Sequence, residues 1–293
     1  MVRGSLVALV TPMLDDGAID YERLAALVEW HIQQGTDGIV AVGTTGESAT
    51  LPEAEHCEVL RQIQRFAAGR IPIIAGTGAN STSEAIRLTR CAAEAGVDGC
   101  LLVTPYYNKP TQEGLYLHHK AVAEAVAIPQ ILYNVPSRTA CDLKPETVAR
   151  LAEVERIVGI KEASGEVDRV ARIRRHCGAD FVIYSGDDAT ARELVIAGGD
   201  GVISVTANIA PAAMRQMIAA TLAGDFERAA EIDASLAGLH RDLFLESNPI
   251  PVKWALAEMG RIGYAIRLPL TPFSERYHEA LRASMRLAGL LPG

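Results

Sequence analysis

The stretch Ile157-Val158-Gly159-Ile160-Lys161-Glu162-Ala163-Ser164-Gly165 runs apolar up to a lysine, then turns at once into polar residues and glycine. A continuously apolar run, rather than an alternating one, reads as a strand covered on both faces, the condition of strands in a parallel sheet. Seven similar runs begin near Leu6, Gly38, Pro72, Gly99, Gln130, Phe181 and Gly201. Neighbouring starts lie between 20 residues (181 to 201) and 34 residues (38 to 72) apart, room for a strand, a loop and a helix but not for a hairpin. Helical spacing fills the gaps, first at Tyr21, Leu24, Ala25, Val28 and Ile32. Thr82-Ser83-Glu84, Lys144-Pro145-Glu146 and Ser164 onward offer further helix starts. Eight strands alternating with helices predict an α/β fold, a (β/α)8 TIM barrel.

A doubly wound open sheet is the alternative, supported by Ala75-Gly76-Thr77-Gly78-Ala79-Asn80-Ser81 after the third run, where Ser81 replaces the last glycine of a dinucleotide fingerprint. After Pro211 the pattern is all-helical, near 212–222, 226–240, 249–259 and 274–288. The first of these completes the barrel. Residues 1–224 are therefore expected to form a catalytic barrel and residues 225–293 a C-terminal helical extension, packed on the barrel or on a partner subunit because no low-complexity linker separates them.

The 293 residues are 49% hydrophobic and 22% charged, with a net charge of −8, which suits a compact globular chain. Neither lysine nor arginine clusters, so no nucleic acid and no membrane partner is expected. The start of the chain enters a strand-like run without a secretory apolar region, and no run is long enough to span a bilayer. Cys57, Cys91, Cys100, Cys141 and Cys177 are odd in number and never in a C-x-x-C pair, which reads as reduced, mostly buried thiols of a cytoplasmic protein. The seven histidines show no metal-ligand spacing, so no catalytic metal is expected.

Chemistry centres on Lys161. Burial disfavours the charged form of an amine, and a neutral primary amine condenses with a ketone or aldehyde to an imine that serves as an electron sink. Lys109, Lys120, Lys144 and Lys253 stand in contexts that look solvated. The working face of such a barrel is the carboxyl end of its strands. There, Gly43-Thr44-Thr45-Gly46-Glu47-Ser48 offers hydroxyls and backbone N–H groups for a carboxylate. Thr104-Pro105-Tyr106-Tyr107-Asn108-Lys109-Pro110 and Tyr133-Asn134-Val135-Pro136-Ser137-Arg138-Thr139 supply tyrosines able to relay protons and an arginine able to clamp a carboxylate. Asp187-Asp188 after the seventh run reads as a helix cap.

Together, Gly43 to Ser48, Tyr106 to Pro110, Tyr133 to Thr139 and Gly159 to Gly165 resemble the pyruvate-dependent class I aldolase superfamily, most closely its dihydrodipicolinate synthase members, and the likeness spans the whole chain. The resemblance implies that Lys161 forms an imine with pyruvate. The derived enamine then attacks L-aspartate 4-semialdehyde in the lysine and diaminopimelate route, with no cofactor. It makes Tyr133, Thr44 and Tyr107 a proton relay, with Tyr107 reaching in from a neighbouring subunit of a homotetramer built as a dimer of dimers. Thr45, Gly186 and Ile203 match pyruvate-holding positions, and Arg138 matches the residue that takes the semialdehyde carboxylate. Ser48, Ala49, His56, Asn80, Glu84 and Tyr106 match an allosteric lysine site, while Glu53 departs from the histidine of strongly inhibited members. Sialic acid lyases and sugar-acid aldolases share the lysine chemistry but usually lack an arginine at the position of Arg138. A catalytically silent metabolite-binding barrel is the remaining alternative.

Overall fold

The computed structural model describes residues 1–292. Eight strands, β1 (Gly4–Ala8), β2 (Gly38–Ala41), β3 (Ile73–Gly76), β4 (Gly99–Val103), β5 (Gln130–Asn134), β6 (Ile157–Glu162), β7 (Val182–Ser185) and β8 (Gly201–Ser204), pair in chain order. All pairings are parallel, and β8 returns to β1 in the register Leu6 with Ile203, closing the (β/α)8 barrel. Every strand starts within two residues of its expected position, and closure rules out the open-sheet alternative. Gly78 stands where a side chain would overlap the Val103 backbone, so the glycines of the 75–81 run serve loop packing at the barrel mouth.

Both faces of the strands are apolar for a visible reason. Leu6, Val40, Ile74, Leu101, Ile131, Tyr184 and Ile203 fill the barrel, while their neighbours Val7, Ile39, Ile73 and Cys100 pack outward under the helices. Those helices are α1 (Tyr21–Gln33), α2 (Glu53–Ala67), α3 (Thr82–Glu94), α4 (Gln112–Ala125), α5 (Pro136–Thr139), α6 (Pro145–Ala152), α7 (Arg169–Cys177), α8 (Ala191–Ile196) and α9 (Pro211–Ala223). Asp20 and Thr111 cap α1 and α4 by accepting the backbone N–H three residues on. The helix expected from Ser164 onward begins only at Arg169. Glu162 Oε1 accepts the Ser164 N–H at 2.9 Å and Gly165 turns at φ +80°, so the chain bends before it coils.

Three helices follow: α10 (Phe226–Asp242), α11 (Ile250–Glu258) and α12 (His278–Leu287). Among the described residues no helix is long and apolar enough to cross a membrane. Every residue of α11 from Ile250 to Ala257 is buried, Lys253 included, at 2% exposure. The expectation of a solvated Lys253 is therefore wrong. An apolar helix packed on all sides leaves its one cation no route to water, and the buried carboxylate of Glu47 meets it instead. Burial pushes the Lys253 pKa down and Glu47 opposes the fall. Glu47 also accepts the Arg267 N–H at 3.2 Å, so the loop after β2 is tied to the C-terminal helices.

Reduced thiols were expected at all five cysteines, but Cys57 and Cys91 form a disulfide. They are 34 residues apart in the chain, yet α2 and α3 pack side by side and bring their Cα atoms to 6.0 Å. Cys100 and Cys141 are buried free thiols and Cys177 is half-buried.

We expect Lys253→Met to destabilise the fold by about 3–5 kcal/mol, because it leaves Glu47 buried without its counter-charge. Urea midpoints read the loss, and adding Glu47→Gln should restore a large part of it. A Lys253→Met chain as stable as the parent would show the pair to be dispensable.

Candidate functional site

A cavity of about 210 Å³ opens at the carboxyl ends of the strands. Lys161 reaches it from β6 and Tyr133 from β5, where the two residues are register partners, so their side chains leave the sheet on the same face. Lys161 is 6% exposed, and its Nζ stands 4.4 Å from the centre of the Tyr133 ring. Burial lowers the Lys161 pKa to about 8; Asp188 and Asp187 oppose the fall and Arg138 adds to it. Burial also pushes the Tyr133 phenol up to about 12, so it remains a proton donor at neutral pH. The wall therefore holds an amine that readily becomes neutral beside an un-ionised phenol.

Gly186, at the end of β7, lines the same cavity. A Cβ there would stand 2.5 Å from Ala163 Cβ and 3.0 Å from Lys161 Cε, so only glycine leaves the lysine stem its place. Asp187 follows it into the wall, its own pKa raised by burial against the pull of Lys161. Asp188 turns away. Its Oδ2 accepts the N–H groups of Val205 and Thr206, each at 2.9 Å, and holds the chain after β8. Asp187 stands at the start of the short turn Asp188–Thr190 without a side-chain cap bond, and Asp188 serves the start of the turn Thr206–Asn208 instead of the helix that follows it in the chain, which differs from the expected cap.

The loop after β2 brings Thr44 and Thr45 to the wall. It is bracketed by Val42 at φ +47° and Glu47 at φ +59°, left-handed conformations that cost a residue with a Cβ about 1–2 kcal/mol each. The surrounding contacts hold the loop against that cost. Thr11 Oγ1 donates to the Gly46 carbonyl at 2.7 Å, and Glu47 is fixed by Lys253 and Arg267. Thr45 Oγ1 accepts from Asn248 Nδ2 at 2.9 Å, and Arg138 Nη2, on α5, donates to the Asn248 carbonyl at 3.3 Å.

Lys161, Tyr133, Thr44, Thr45, Gly186 and Arg138 thus meet around one cavity. Ile203 is fully buried in β8 among the residues that fill the barrel and does not line the cavity with its side chain. Tyr107 does not line it either. It sits at φ +76° on the rim loop after β4, with its N–H on the Thr139 carbonyl and its side chain 89% exposed. Asn80 Nδ2 donates to the Tyr106 carbonyl at 3.3 Å, and Glu84 lies close enough to help raise the Tyr106 pKa, behind burial. His56 is buried on α2, its pKa lowered to about 4 chiefly by that burial. Ser48 lines the cavity and begins the short turn Ser48–Thr50 that contains Ala49, and Glu53 pairs with Arg87 at the surface.

Sequence reading missed Asn248 and the Glu47–Lys253 pair, and took Asp187 for a helix cap rather than a wall residue. The available signal was a lysine set inside Asn248-Pro249-Ile250-Pro251-Val252-Lys253-Trp254, too apolar a context for a solvated cation.

The model of the dihydrodipicolinate synthetase family matches residues 1–288. A 4-hydroxy-tetrahydrodipicolinate synthase of Thioalkalivibrio sulfidiphilus is 64% identical over 290 residues, covering 99% of each chain. The chloride-inhibited dihydrodipicolinate synthase of Acinetobacter baumannii, solved in complex with pyruvate, superposes with a TM-score of 0.98 at 58% identity, covering 99% of this chain and 100% of that one. The enzyme of Cyanidioschyzon merolae, solved with lysine bound, superposes at 0.96 with 41% identity over 99% of both chains. With a matching family model over nearly its whole length and relatives this similar, the chain belongs to the dihydrodipicolinate synthetase family.

Proposed function

We propose that this chain condenses pyruvate with L-aspartate 4-semialdehyde through a Schiff base on Lys161, the 4-hydroxy-tetrahydrodipicolinate synthase reaction. The observation that carries the reading is the buried Lys161 amine, with its pKa lowered to about 8, facing a cavity beside the protonated Tyr133 phenol. Neutral Nζ adds to the keto carbon of pyruvate, and a proton delivered to the oxygen lets it leave as water, giving the imine. Loss of a methyl proton gives the enamine, whose carbon attacks the aldehyde. The amino group of the second substrate then attacks the imine carbon, closing the ring and expelling the lysine amine.

Tyr133 and Thr44 lie in the cavity wall where those protons move, which suits a relay. Thr45 and Gly186, in the cavity wall, suit the keto-acid carboxylate, and we assign the backbone at Ile203 to the same task. Arg138, at the rim, suits the carboxylate of the semialdehyde and favours this substrate over the sugar acids of related aldolases. The exposed Tyr107 suits a relay member donated to a neighbouring subunit, and a homotetramer, a dimer of dimers, in the cytoplasm fits that supply. The C-terminal segment 225–293 acts as a brace on the 1–224 barrel. Ser48, Ala49, His56, Asn80, Glu84 and Tyr106 remain the candidate residues for lysine, with Asn80 and Glu84 both beside Tyr106.

Borohydride reduction with pyruvate should leave one pyruvate-derived adduct, on Lys161, by peptide mass mapping; an unmodified Lys161 sinks the mechanism. Because Asp187 favours the ammonium form, Asp187→Asn should move the pH midpoint of adduct formation below about 8, toward lower pH. A midpoint displaced upward contradicts that electrostatic reading. Tyr107→Phe should cost about a hundredfold in kcat with the fold and assembly intact, the scale of one lost proton-transfer group. Unchanged turnover removes Tyr107 from the relay.

A further inference from the structure

A threonine hydroxyl can both donate and accept, and what its hydrogen does depends on what its oxygen receives. Thr45 is buried, and its Oγ1 receives the Asn248 amide nitrogen at 2.9 Å. An amide nitrogen can only donate. Having accepted there, Thr45 keeps its own hydrogen for another acceptor, and its open side is the cavity. A carboxylate accepts hydrogen bonds only, so the direction of this one hydrogen decides whether Thr45 attracts or repels it.

Asn248 is itself 6% exposed and lines the cavity. Its Oδ1 is buried with no hydrogen-bond partner among the described residues, so Thr45 is the one side chain its amide engages. Its backbone carbonyl accepts from Arg138 at 3.3 Å. One residue, 203 positions from Thr45 in the chain, thus touches both groups placed to receive carboxylates. The Glu47–Lys253 pair ties the segment that carries Asn248 to the loop that carries Thr45.

We propose that Asn248 is a positioning residue that turns the Thr45 hydroxyl hydrogen into the cavity, toward the carboxylate of the keto acid, and steadies Arg138 at the rim for the carboxylate of the second substrate. This deepens the function proposed above and rests on it. Asn248→Asp is the discriminating variant, because it keeps size and shape but replaces the donor by an acceptor. The new carboxylate takes the Thr45 hydrogen and leaves a lone pair facing the cavity. The pyruvate KM should rise about a hundredfold and kcat fall far less, the scale of a hydrogen bond to a charged group exchanged for a repulsion. Asn248→Ala, which removes the donor without reversing it, should raise the pyruvate KM about tenfold.

If Asn248 acts through Thr45, Thr45→Val carries most of the same loss, and Thr45→Val with Asn248→Ala binds pyruvate no worse than Thr45→Val alone. Losses that multiply in the double variant overturn the proposal, as does an unchanged pyruvate KM in Asn248→Asp. Should Asn248→Asp not fold, the Thr45→Val and Asn248→Ala cycle carries the test. Borohydride trapping at saturating pyruvate separates the two readings. A parent chain that forms no Lys161 adduct removes the keto-acid chemistry, whereas an adduct formed with unaltered pyruvate affinity in the Asn248 variants removes only the role of Asn248.

Discussion

Holding a primary amine out of water is the constraint to which the rest of this molecule answers. Moving the Lys161 pKa to about 8 corresponds to about 3 kcal/mol of disfavoured charge. The chain buries two lysines and treats them in opposite ways. Lys253 lies directly against the Glu47 carboxylate in a structural pair. Lys161 has the face of an aromatic ring against its nitrogen and only partial help from Asp187 and Asp188, of which Asp188 is already engaged by two backbone N–H groups. The same desolvation therefore gives a fixed brace in one place and a reactive amine in the other. What separates them is the distance and commitment of the nearest carboxylate.

The brace and the reactive amine are connected through the threonine loop. Left-handed backbone at Val42 and Glu47 makes that loop unfavourable on its own, and its contacts with Thr11, Lys253, Arg267 and Asn248 hold it in place. Three of those four partners come from beyond residue 240. The C-terminal helices are thus part of what shapes the cavity, although most of the cavity-lining residues come from the barrel.

The barrel was legible in the sequence because its physics is local and repeated. A strand buried on both faces must be apolar throughout, and eight such runs at crossover spacing admit few other folds. Lys161 was legible because a lysine ending such a run is out of place. The partners that tune it were not. Asn248 meets Thr45 across 203 residues, and Lys253 meets Glu47 across 206, so neither pairing leaves a periodic mark. The same blindness let Cys57 and Cys91 pass as separate thiols, since only the side-by-side packing of α2 and α3 brings them together. Tyr107 was visible as a residue type, but its exposed position on a rim loop follows from backbone geometry that composition does not encode.

The order in which these supports are synthesised has a consequence for biogenesis. The seam between β1 and β8 joins Gly4 to Gly201, so β1 leaves the ribosome with one edge bare and keeps it bare until β8 follows. Even then the threonine loop lacks two of its supports until Asn248 and Lys253 have been made. A nascent chain stalled before β8 carries an open sheet edge, and one stalled between β8 and Asn248 an unbraced loop, both suited to non-specific association. The pocket thus depends on residues synthesised well after the strands that line it.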